Sequence, residues 1–187
     1  DYDDDFNMKN MFYDVSTLKS VKMISDKNCR ITQIQSAFER CRSLESFYIK
    51  GFDTKSIKSL KSLFQSTPLT EVSFNDFSTE NVMDMSYMFY DTNLETLDLS
   101  FMNTKNVESM NHMFCYCKSL KSLDVSKFDT SNVLDMNHMF NHLEEIKTLD
   151  LSNFKTKKVQ DMNYMFAGLT NVENIKIPKF NTKEVLN

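Results

Sequence analysis

The sequence predicts an α/β solenoid of about seven 25–26-residue repeats, with a parallel sheet on its concave face and short helices on its convex face. Three observations carry this. Phe residues at 12, 38, 64, 89, 114, 140 and 166 recur at spacings of 25 or 26. A second apolar column, Met8, Ile34, Leu60, Met85, Met110, Met136 and Met162, runs in the same register. Within each unit the apolar period also changes from helix-like to strand-like. A fixed period of this length marks units that bury their apolar faces only against their neighbours. No linker interrupts the pattern, so residues 1–187 read as one domain. Its N-terminal repeat is degenerate (about 5–30), its regular repeats cover about 31–180, and its last repeat is truncated (181–187).

The helical half of a repeat comes first. In the unit from Thr104 to Phe128, Val107, Met110, Met113 and Phe114 fall on one stripe of a helix. Asn106 is placed to cap it, and Asn81 with Asp84, or Asn132 with Asp135, gives a capping-box-like start. The strand half follows, where Leu120, Leu123 and Val125 match the L-x-x-L-x-L core of a leucine-rich repeat. Its equivalents are Val21 and Met23, Phe47 and Ile49, Val72 and Phe74, Leu97 and Leu99, Leu149 and Leu151, and Ile175 and Ile177. These predict seven strands in one parallel sheet. After the strand comes Phe52, Phe77, Met102, Phe128, Phe154 or Phe180, and two residues later Thr54, Thr79, Thr104, Thr130, Thr156 or Thr182. The first repeat breaks this rule at Asp26.

Composition narrows the function. A net charge of −4 with interspersed Lys and Asp/Glu offers no basic footprint for nucleic acid. No stretch approaches the roughly 18 apolar residues of a membrane span, and the acidic start Asp1 to Asp5 lacks the form of a signal peptide. Cys41 and Cys117 share a repeat position but lie three repeats apart, roughly 14 Å at about 4.8 Å per strand, too far for a disulfide. They read as small buried side chains, whereas Cys115 is expected exposed and Cys29 in a turn. The 13 Met residues mostly fill inward columns.

The strings Leu-Asp-Val-Ser-Lys-Phe-Asp-Thr-Ser-Asn-Val (123–133) and Met-Asn-His-Met-Phe (136–140) resemble the bacterial surface protein 26-residue repeat. This is the BspA-like leucine-rich repeat family, also catalogued as a mycoplasma protein family of unknown function. The resemblance implies an extracellular or surface-attached module for adhesion, with a protein or host-derived glycan as ligand and no known catalytic site or cofactor. The Gly that the family often carries after its Met-Phe pair is absent here except as Gly168.

Between the strand apolars stand Lys22, Tyr48, Ser73, Asp98, Asp124, Asp150 and Lys176, a column on the strand face. Stacked Asp residues about 4.8 Å apart repel and raise one another's pKa unless a cation, a basic partner or a neighbouring hydroxyl offsets this. Ser100, Ser126 and Ser152 stand nearby. Tyr48, Ser73, Asp98, Asp124, Asp150 and Lys176 form the candidate ligand strip; the alternative is a solvated face with local hydrogen bonds. Tyr87, His112, His138 and Tyr164 form an exposed ladder on the other side and a second candidate partner surface. His112 and His138 lack a third metal ligand, and Cys115 with either His lacks an orienting group, so neither a metal nor an enzymatic site is expected. Val185-Leu186-Asn187 stops where another unit should begin, and that uncapped end offers a route to self-association or to assembly as a structural building block.

Overall fold

In the computed structural model, which describes residues 4–25, 29–180 and 183–184, the repeats coil into a parallel β-solenoid of about six turns. The strands are β1 (Asp4–Asn7), β2 (Ser20–Ile24), β3 (Cys29–Gln33), β4 (Ser46–Lys50), β5 (Glu71–Asn75), β6 (Thr148–Asp150) and β7 (Asn174–Lys176). There is no helix among the described residues, which corrects the α/β leucine-rich-repeat expectation.

The packing distance explains why. Successive Phe rings from Phe12 to Phe166 stack with centroids 5.3 to 6.2 Å apart and interplanar angles of 4° to 21°. Helix axes approach only to about 8–10 Å, so helices could not carry rings at this spacing. The backbone instead makes linked turns. Tyr87, Phe89 and Asp91 donate N–H to the carbonyls of Asn111, Met113 and Cys115 in the next turn at 3.0, 3.1 and 2.9 Å. Between them, Met88 and Tyr90 donate to the carbonyls of Met85 and Tyr87 at 3.3 and 3.2 Å. Alternate N–H groups therefore join turns while the others close turns, and the buried backbone is satisfied without a helix. Met88 and Phe89 are both fully buried although adjacent, which a plain strand forbids because its side chains alternate. A left-handed residue on either side, Tyr87 (φ 58°) and Asp91 (φ 55°), redirects the chain. The same pair of positions is left-handed from Asn10 and Asp14 through Tyr164 and Gly168.

The expected helix caps hold turns instead. Asp84, Asp135 and Asp161 accept the N–H two residues on at 2.9, 2.9 and 2.8 Å. Asn81, Asn106 and Asn132 reach back to the carbonyls of Lys55, Glu80 and Lys105 in the preceding turn.

The sheet is also less continuous than the pattern implied. β2, β4 and β5 pair in that order, with Val21, Phe47 and Val72 in register, and β6 pairs with β7. Leu97–Leu99 and Leu123–Val125, expected between them, lie outside the strands. A second ladder begins where β1 pairs with β3, bringing Asn7 opposite Gln33, and continues as single bridges through Ser59, Asp84, Ser109, Asp135 and Asp161. The sequence places Cys29 in a turn, whereas Cys29 opens β3. Asp26, Thr182 and the Val185–Asn187 end lie outside the described residues.

Buried Thr side chains clamp successive turns. The hydroxyls of Thr54, Thr79, Thr104 and Thr130 accept N–H bonds from Ser78, Asn103, Asp129 and Lys155, each at 2.7 Å. Each hydroxyl also donates to the carbonyl of that same residue at 3.1 Å. One side chain thus does the work of a backbone rung. Cys41 and Cys117 act similarly, their thiols donating to the carbonyls of Phe12 and Phe89 at 3.0 and 2.9 Å.

Candidate functional site

Strand pairing sets the strip. Lys22, Tyr48 and Ser73 are opposed in register through β2, β4 and β5, and Asp150 is opposed to Lys176 through β6 and β7. Asp98 and Asp124 occupy the equivalent positions between these two sheets, on backbone that joins neither as a strand. Asp98, Asp124, Asp150 and Lys176 are exposed, while Tyr48 and Ser73 are half-buried. The three carboxylates flank an open cleft of about 480 Å³, with Leu97 and Leu123 in its wall. At the other end of the strip, the Lys22 ammonium lies 5.7 Å from the Tyr48 ring centroid.

The mutual repulsion expected of stacked Asp residues is offset locally. Asp98, Asp124 and Asp150 each accept the N–H of the Ser two residues on, at 2.8, 2.9 and 3.0 Å. The Ser100 hydroxyl, then its N–H, holds the Asp98 carboxyl below the usual range, and Ser126 does the same for Asp124. Asp150 goes furthest, to about 2, through the Ser152 hydroxyl, the Lys176 ammonium and the Ser152 N–H. The Ser152 hydroxyl lies 2.6 Å away and Lys176 Nζ 2.9 Å. All three are therefore carboxylates at neutral pH. Of the three, Asp150 alone is ion-paired among the described residues, so Asp98 and Asp124 are the carboxylates open to a partner.

The second candidate surface is a stack. Tyr87 and His112 lie 4.4 Å apart between ring centroids, His112 and His138 4.4 Å, and His138 and Tyr164 4.8 Å. Expected to be exposed throughout, the ladder is exposed only at Tyr164; the other three rings are half-buried, because each covers its neighbour's face. Sequence reading missed a companion ladder. Tyr116 stacks on His142 at 4.6 Å, and Tyr90 meets Tyr116 edge-on at 5.7 Å. Only repeat columns could have revealed it, and there Tyr90 follows its Phe by one residue whereas Tyr116 and His142 follow theirs by two. Gly168 lies under this ladder, where an added Cβ would come within 2.6 Å of the His142 ring.

Stacked rings turn their edges outward, so the middle of the ladder offers no open face for a sugar ring or a planar ligand. No group of three or more His, Cys, Asp or Glu side chains fit to hold a metal occurs among the described residues. Cys115, expected exposed, is 1% exposed; the adjoining turn and Asn141, which accepts its thiol at 3.4 Å, enclose it. Burial pushes that thiol up to about 12, which disfavours its thiolate form. Among the described residues no helix is long and apolar enough to cross a membrane.

A family model described as "Mycoplasma protein of unknown function, DUF285" matches residues 6–119 and 91–187. No curated protein and no solved structure matches the chain significantly.

Proposed function

We propose that this chain, which belongs to the DUF285 family of mycoplasma proteins of unknown function, is a non-catalytic recognition module that binds a basic protein or a glycan through its strand-face strip. One observation carries the reading. Asp98 and Asp124 are exposed carboxylates, each fixed through one oxygen by its own Ser and without an ion-pair partner among the described residues. A carboxylate already ordered in the free protein loses little entropy on binding, and a charged row in fixed register selects for complementary charge or for hydroxyl donors. The surface location is part of the proposal. It is supported by the resemblance of 123–133 and 136–140 to bacterial surface repeats.

The test is a triple variant, Asp98→Ser, Asp124→Ser and Asp150→Ser, compared with the wild type on a glycan array and against a lysine-rich peptide. Binding that falls at least tenfold in the variant, and weakens with salt in the wild type, supports the strip. Equal binding by a folded variant removes it. A second reading, a structural building block of a surface assembly, is favoured by apolar side chains left exposed on inner turns of the solenoid, Met83 (43%) and Leu134 (36%). Light scattering over a concentration series decides that reading, since a constant 22.0 kDa monomer counts against it.

A further inference from the structure

The His112 imidazole is enclosed from both faces. Tyr87 covers one at 4.4 Å and 9°, His138 the other at 4.4 Å and 11°, and Tyr90 leans on it at 6.1 Å. Its Nδ1 is buried and has no hydrogen-bond partner. A neutral imidazole leaves that nitrogen as an unpaired acceptor, at moderate cost; a proton placed there would be a buried charge with no acceptor in reach. His138 is sandwiched in turn between His112 and Tyr164, and its Nδ1 contacts Asn137 Oδ1.

The surroundings offer little to neutralise added charge. Asp135 is the carboxylate that acts on His112, and its oxygens already accept the Asn111 side-chain amide at 2.8 Å and the Asn137 N–H at 2.9 Å. Asp161, the next along the same ladder, is taken by Asn137 Nδ2 at 3.1 Å and the Asn163 N–H at 2.8 Å. The Cys115 thiol is held neutral by burial, as are the Tyr87 and Tyr90 phenols. Two imidazolium rings at 4.4 Å would repel, while both of these carboxylates are already engaged in hydrogen bonds.

We propose that the stacked His112–His138 pair is an acid-sensitive latch. Neutral rings lock four successive turns along the Tyr87–Tyr164 face, and proton uptake unstacks His112 and loosens them. The inference is independent of the binding role of the strip. Burial first, then the facing His138, lower the His112 pKa from 6.5 to about 4, with Asp135 opposing. The unfolded chain therefore takes up a proton that the folded chain refuses. Stability is full above about pH 6.5, falls as the pH drops from there, and levels off only below about 4.

The experiment combines imidazole NMR titration with thermal melting between pH 8 and pH 4 on the wild type, His112→Asn and His138→Gln. Asn suits the left-handed backbone at this position, as Asn10 shows in the first turn, so the first variant deletes the titrating ring without straining the chain. The latch requires a His112 midpoint well below an ordinary imidazole and a melting temperature that falls more steeply with acid in the wild type than in His112→Asn. It also requires that His138→Gln raise the His112 midpoint. Parallel melting curves for wild type and His112→Asn, a His112 midpoint at or above 6.5, or a midpoint indifferent to His138→Gln would each overturn the proposal.

Discussion

Replacing Thr104 by Val changes the side chain's shape little while removing the hydroxyl that clamps two turns. In the native protein this hydroxyl accepts the Asp129 N–H at 2.7 Å and donates to the Asp129 carbonyl at 3.1 Å, and Thr104 is 1% exposed. Val leaves both Asp129 backbone groups without their partner in a place water reaches poorly. Two net hydrogen bonds at about 1 kcal/mol each, with part of the desolvation cost of the orphaned pair, put the loss at about 2–4 kcal/mol. For a chain of this length that corresponds to roughly 6–12 °C in melting temperature for a mid-range loss of about 3 kcal/mol. Thr104→Ser is the control. It retains the clamp and removes one buried methyl, at about 1 kcal/mol. Urea denaturation followed by circular dichroism measures both, and hydrogen exchange at the Asp129 amide reports the rung directly. A Val variant within about 0.5 kcal/mol of wild type, or a Ser variant as damaged as Val, would refute the view that the hydroxyl substitutes for a backbone rung.

Three further outcomes follow from the same geometry. Gly51→Ala should destabilise more than Gly168→Ala in matched melts: both sites are left-handed, but the new Cβ meets the Ser25 backbone oxygen at 2.3 Å in the first and only the movable His142 ring in the second. Combining Gly168→Ala with His142→Ala should recover the steric part of the smaller loss and leave the backbone part. Phe114→Ala, which breaks the central stack between Phe89 and Phe140, should cost about 3–5 kcal/mol by chemical denaturation. Ser152→Ala should raise the Asp150 carboxyl from about 2 toward 3.8, read by carboxyl NMR. Because that pKa is lowered on folding, the Asp150 contribution is present above about pH 3.8 and is lost as the pH falls through about 2.

The repeat, its Phe stack and the Thr column were legible because each keeps one residue type, or one physical class, at one register position along the chain. The turn geometry was not. Val107, Met110, Met113 and Phe114 have a spacing that a helix and a chain of linked turns both satisfy, since each brings these side chains to one side. The signal that separates them is a left-handed residue two places either side of the Phe. It is visible as Asn10 and Asp14 or as Ser62 and Ser66, but rings at Tyr87, His112, His138 and Tyr164 disguise it. The Asp strip could be placed from strand alternation alone, whereas the break of the sheet around 97–99 and 123–125 could not, because Leu97, Leu99, Leu123 and Val125 carry the same pattern as the paired strands. The Ser residues that quiet the Asp charges were in view, and their hydroxyls were one of three ways to offset the repulsion.

The rungs from Tyr87, Phe89 and Asp91 to the following turn have a mechanical meaning. They join one coil to the next, so tension applied between the two ends of the solenoid reaches them one coil at a time, as in a zipper, and not all together as in sheared strands. Each 26-residue coil that peels away would release roughly 85–95 Å of extended chain at about 3.3–3.6 Å per residue, while the coils behind it keep their stacked Phe rings. A chain built this way lengthens under load in equal steps, and the remaining coils stay folded.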